Sequence, residues 1–120
     1  MRIAVEVEGD PFPLPDFISG NLLLLAQEAM TNSLKHSGAK RITAKLRFGT
    51  EDVSIAIEDD GSGFDPSLAP GQKDGHFGLQ GMRERVKRLG GTIQIDSRIG
   101  SGTRVIADVP KRAFHVPVDV

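Results

Sequence analysis

Polar and apolar residues alternate from Arg2 to Glu8 (RIAVEVE), the period-two pattern of a strand. Three prolines at Pro11, Pro13 and Pro15 then hold the chain extended. From Phe17 the period changes. Ile18, Leu22, Leu25, Ala26, Ala29, Met30 and Leu34 recur at helical spacing; Asp16 is placed to cap this helix and Gly38 to stop it, so a long helix is predicted to His36. Arg41–Phe48 and Val53–Glu58 alternate again on either side of Gly49-Thr50-Glu51-Asp52, which predicts a hairpin.

Periodicity fails between Asp60 and Gly78, where five glycines and two prolines fall, and a loop of this length without elements of its own is usually functional. A lid is expected there. Leu79, Met82, Val86 and Leu89 then mark a second, strongly amphipathic helix ended by Gly90-Gly91. Thr92–Ser97 and Thr103–Val109 alternate as the last two strands, joined across Arg98–Gly102, while residues 111–120 show no periodicity and are expected to be a tail. Hairpin strands with two one-sided helices imply an α+β sandwich, a mixed or antiparallel sheet with helices on one face, in one domain over residues 1–110.

Composition narrows the chemistry. Fifteen basic and sixteen acidic residues, well mixed, give a net charge of −1 and no broad positive field for nucleic acid or an anionic membrane. The absence of cysteine removes disulfides and thiolate metal sites, and His36, His76 and His115 lie far apart. No apolar run approaches the roughly 20 residues needed to span a bilayer, so a soluble, cytoplasmic domain is expected. Glycine stands out: ten of its fourteen occurrences fall between Gly61 and Gly102, where bare backbone has a use.

Four constellations carry candidate chemistry. Glu28, Asn32, Lys35 and His36 share one stripe of the long helix, a mix of acid, amide and cations suited to a magnesium phosphate. Asp59-Asp60-Gly61-Ser62-Gly63 leaves a strand, and a carboxylate there can accept a hydrogen bond from an exocyclic amine such as that of adenine; a plain Asp-Gly turn is the alternative. Gly75-His76-Phe77-Gly78-Leu79-Gln80-Gly81-Met82 runs a glycine-rich loop into a helix start, a ready anion site, or simply a hinge and a close helix contact. It matches neither the Gly-Lys-Ser/Thr loop nor the dinucleotide fingerprint. Gly100-Ser101-Gly102-Thr103 joins two strands and is either a hairpin loop or one border of a base pocket.

In this order the four pieces resemble the ATPase superfamily that includes histidine kinases, DNA gyrase, mismatch-repair ATPases and a heat-shock chaperone. Gln27–His36 looks like the N box, Asp59–Gly63, Gly75–Met82 and Gly100–Thr103 like the three glycine boxes, and Gly78–Arg85 is most similar to sensor kinases of the nitrate and membrane-fluidity type. The resemblance implies a left-handed α/β sandwich, the Bergerat-type fold, holding ATP between the long helix and the lid. It makes Asn32 the magnesium ligand and Glu28 the acid that activates a phospho-accepting histidine. Lys35 and His36 would lie near the phosphates, Asp59 at the adenine amine with Gly61 and Gly63 beneath the base, and Thr103 on the adenine side. Gly75, Gly78, Leu79, Gly81 and Met82 would form the lid and its hinges, with Phe77 in place of a separate phenylalanine box. The expected partners are the dimerisation and histidine-phosphotransfer domain of a membrane-bound sensor kinase and, indirectly, a response regulator; a partner-switching protein-serine kinase and a non-catalytic nucleotide sensor are the rival readings.

Overall fold

The structure, a computed structural model, describes residues 2–36, 38–63 and 79–114. Its elements are strand β1 (Arg2–Gly9), helix α1 (Asp16–His36), strands β2 (Arg41–Phe48) and β3 (Asp52–Asp59), helix α2 (Leu79–Arg88), and strands β4 (Thr92–Ser97) and β5 (Thr103–Pro110). The strands form one sheet in the order β1-β2-β3-β5-β4. β1 pairs with β2 in parallel, since the chain returns to the same end through α1, and the other three pairings are antiparallel.

Register carries the alternation across the sheet. Ala44 lies opposite Ile57, Ile57 opposite Val105, and Ile95 opposite Val105, so one face collects the apolar positions of four strands. Ile42, Val53, Ile57, Val105, Ala107 and Val109 are buried there beneath both helices. The opposite face is polar: Glu58 Oε1 lies 3.0 Å from Arg104 Nε and 3.7 Å from Lys45 Nζ, ion pairs exposed enough to add little stability.

Helix α1 starts one residue earlier than its pattern predicts. The Pro15 carbonyl receives the amides of Ile18 and Ser19, which puts Asp16 inside the first turn. Its buried stripe is Ile18, Leu22, Leu25, Ala26, Ala29 and Ser33. Leu34, expected on that stripe, is instead 49% exposed, because the 3.6-residue repeat brings Ser33 inward at that level. Helix α2 buries Met82 and Val86, with Leu89 just beyond it, against the same core.

Lys111–Ala113 form a single 3-10 turn, and the Lys111 amide donates to the Glu51 carbonyl at 2.8 Å. Phe12 meets Phe48 edge-on at 5.0 Å and Phe114 at 6.2 Å, with Lys111 Nζ 4.1 Å above the Phe12 ring. This aromatic cluster ties the proline connector and residues 111–114 to the main core. Among the described residues no helix is long and apolar enough to cross a membrane.

Candidate functional site

Asp59 owes its position to register. It ends β3 two residues after buried Ile57, opposite Ile42 on one side and Thr103 on the other, so the helix-covered face terminates in a carboxylate at this end of the sheet. Its Oδ2 receives the Ser33 hydroxyl at 2.5 Å and its Oδ1 the Gly61 amide at 2.9 Å. The Ser33 hydroxyl also lies 3.1 Å from the Ala29 carbonyl. Two fixed donors leave the carboxylate further acceptor positions, the condition for receiving a third hydrogen bond from a ligand amine.

Asp60, the neighbouring carboxylate, is engaged differently. Its Oδ1 accepts the amides of Lys40 at 2.8 Å and Arg41 at 2.9 Å, and these hydrogen bonds, Arg41's first, hold its carboxyl below the ordinary value. It fastens the exit of β3 to the start of β2.

Beside Asp59, the loop leaving β3 is sealed against the β4–β5 hairpin. The Gly100 amide donates to the Ser62 carbonyl at 2.5 Å. A side chain on Gly63 would strike the Arg98 carbonyl, and one on Gly102 the Asp59 carbonyl; both glycines also have positive φ, 65° and 82°. Thr103 Oγ1 lies 2.8 Å from Ser97 Oγ, which donates to the Gly102 carbonyl at 3.1 Å. An open cavity of about 610 Å³ at this end of the sheet is lined by Asp59, Gly102 and Thr103 together with Glu58, Asp96 and Arg104 of the polar face.

On α1, Glu28 and Asn32 lie one turn apart, both half-buried, while Lys35 is exposed. Arg85 of α2 reaches across to place Nη2 3.3 Å from Glu28 Oε1 and Nη1 3.3 Å from Asn21 Oδ1. The structure therefore groups Asp59, Gly61, Gly63 and Thr103 at the sheet end, and Glu28 and Asn32 along α1. Leu79 opens α2 half-buried. Gly81 has open space where a side chain would stand, whereas Met82 is wholly buried in the core, so its side chain faces packing rather than a ligand. His36 closes α1, but its side chain, together with Gly75, His76, Phe77 and Gly78, lies outside the described residues.

Three contributors escape the sequence pattern. Ser33 has a signal in hindsight, a polar residue four positions after Ala29 on the buried stripe. Asn21 and Arg85 have none, because only the approach of α1 to α2 brings them together.

Residues 19–113 match the family described as histidine kinase-, DNA gyrase B- and HSP90-like ATPases. The chain belongs to this ATPase family. It is 48% identical over 89 residues to the signal transduction histidine-protein kinase/phosphatase DegS of Bacillus subtilis, covering 74% of the chain and 23% of that protein. Sensor protein VraS of Staphylococcus epidermidis is 35% identical over 111 residues, covering 92% of the chain and 30% of VraS. The histidine kinase domain of the Erythrobacter litoralis blue-light activated kinase superposes with a TM-score of 0.68 at 29% identity, over 94% of the chain and 59% of that domain. This ATPase domain thus spans less than a third of the length of those curated relatives and has the mixed fold of a histidine kinase catalytic domain.

Proposed function

We propose that this domain binds Mg-ATP and presents its γ-phosphoryl group to a histidine carried elsewhere in a longer sensor kinase, as the catalytic half of a two-component system. One observation carries the reading: the helix that buries Ser33 against Asp59 also carries Glu28 and Asn32 on its flank, so a base-binding carboxylate and phosphate-directed side chains are fixed to one rigid element.

Asp59 would receive the adenine amine, with Gly61 and Gly63 beneath the ring and Thr103 beside it. Lys35 and His36 would meet the phosphates. Asn32 fits a magnesium site of the kind that takes one protein oxygen and leaves the remaining positions to phosphate and water; the ion would screen the charge of the phosphate chain. In the transfer, a ring nitrogen of the acceptor histidine attacks the γ-phosphorus, and the bond to the bridging oxygen breaks with its electron pair leaving on ADP. Glu28 would accept the N–H of the other ring nitrogen and stabilise the cation that develops there. The response regulator would receive the phosphoryl group later, away from this domain. An acid tethered by an arginine favours a transferase over a nucleotide sensor, and a relative named as a histidine-protein kinase favours this acceptor over a protein serine.

Calorimetry tests the binding half: Asp59→Asn should abolish measurable Mg-ATP binding and Asn32→Ala should weaken it strongly. Unchanged affinity in both variants would remove the site. With the histidine-bearing helices supplied, Glu28→Gln should bind ATP normally and transfer at least about 100-fold more slowly; transfer at the original rate removes Glu28 from its role.

A further inference from the structure

Glu28 acts at the end of a flexible side chain that is 40% exposed, and a base must be held within hydrogen-bond reach of its proton. The α1–α2 contact supplies that restraint through an ordered relay. Asn21 Nδ2 donates to the Phe17 carbonyl at 2.6 Å, which fixes the amide so that its oxygen faces α2. That oxygen receives Arg85 Nη1, and Nη2 of the same guanidinium meets Glu28 Oε1. Arg85 is only 19% exposed, so this is not a freely solvated cation. Glu28 Oε2 and Arg85 Nε are both buried with no hydrogen-bond partner among the described residues. They are the two atoms that would complete a side-on bidentate pair with the contact already present. A carboxylate has about four acceptor positions, so even a completed fork leaves two for an incoming imidazole N–H.

We propose that Arg85 is the positioning residue for Glu28, holding its carboxylate from α2, with Asn21 fixing the guanidinium in turn. This deepens the function proposed above and rests on the role of Glu28 given there. The pairing requires a planar fork, which lysine lacks although it keeps the charge.

The test is single-turnover phosphoryl transfer, with the histidine-bearing helices supplied, alongside calorimetric Kd for Mg-ATP. Arg85→Lys should slow transfer about tenfold and Arg85→Ala more, each with Kd within about twofold of the parent, because a base that wanders loses part of its roughly 100-fold or greater contribution. In the Glu28→Gln background Arg85→Lys should add no further loss, since a residue acting through Glu28 has nothing left to position. Asn21→Ala keeps Arg85 intact and should give a smaller loss of a few-fold; it carries the test if the Arg85 variants fail to fold. Transfer within twofold of the parent in Arg85→Lys and Asn21→Ala, a rate loss explained by a raised Kd, or an undiminished Arg85 effect in the Glu28→Gln background overturns the proposal. Full transfer by Glu28→Gln overturns the reading of Glu28 and this proposal with it. Loss in Glu28→Gln beside an unchanged Arg85→Lys overturns the positioning role alone.

Discussion

The Asp59 end of the domain and the Glu28–Arg85 contact are built from different materials. Around Asp59 the restraints are mostly backbone: two strand pairings, a loop amide on a loop carbonyl, and two glycines packed against carbonyl oxygens. At Glu28 the restraint is a side-chain relay between two helices, made by long residues with several rotatable bonds. Backbone restraint leaves little freedom to lose when a ligand arrives, whereas a relay of long side chains retains entropy and can be altered by one residue. Such a division suits a site that must grip one part of its ligand constantly and act on another part only when an acceptor is present. The first region should therefore be intolerant of an added methyl group and the second intolerant of altered geometry at constant charge.

The largest effect is expected at Gly102. Alanine there combines positive φ with a methyl group driven into the Asp59 carbonyl. Gly102→Ala should destabilise the domain by about 2–4 kcal/mol, lower Tm by 10 °C or more, and carry ATP affinity down with it. Gly100 makes the control, since its φ of 84° is similar but its side-chain space is open; Gly100→Ala should cost about 1 kcal/mol. Equal melting temperatures for the two variants would show that backbone contact is not what builds this end.

Much of that end was legible in the sequence. Alternation over β2, β3 and β5 put Asp59 and Thr103 in phase with the buried residues Ile57 and Val105, and the crowding of glycines marked the region as one needing bare backbone. Pattern could not divide those glycines by purpose. Gly63 and Gly102 lie against carbonyl oxygens, while Gly81, at the start of α2, meets nothing within 4 Å. The helical contact was less legible. An arginine on a strongly amphipathic helix reads as solvated, and no spacing within α2 reveals that Asn21 and Glu28 await it on α1. Leu34 and Ser33 show the limit of hydrophobicity as a guide: the apolar residue is exposed and the polar one buried, because the serine hydroxyl finds acceptors on both sides. Residues 111–114 escaped notice because aromatic clustering has no period.

Ser33 gives a second, intermediate effect and joins the two regions, its hydroxyl reaching the sheet end from α1 through a hydrogen bond to Asp59. Ser33→Ala removes a buried bond to a carboxylate and should cost about 1–2 kcal/mol of stability. It should also weaken ATP binding several-fold by loosening Asp59, while the rate of transfer from bound ATP stays near that of the parent. A fall in that rate at saturating ATP would mean that the two regions are coupled through α1 rather than separable.

The smallest effect sharpens the comparison by leaving both regions alone. Asp108 lies on the open face of the sheet, five residues along β5 from Thr103, or roughly 17 Å at strand spacing. Burial, and then a hydrogen bond and repulsion from Asp52, push its carboxyl up to about 6, with Arg47 opposing the shift. A raised acid binds its proton more tightly in the folded chain than in the unfolded one. Its contribution is therefore fully present below the ordinary value of 3.8 and is lost as pH rises through about 6. Asp108→Asn removes that loss and should raise stability by about 1 kcal/mol at pH 7.5, with little change at pH 4. Urea unfolding at the two pH values measures the difference. Mg-ATP affinity and transfer rate should both match the parent, so a stability gain accompanied by altered binding would show that the Asp59 end responds to the sheet as a whole, and not to its own loops and glycines alone.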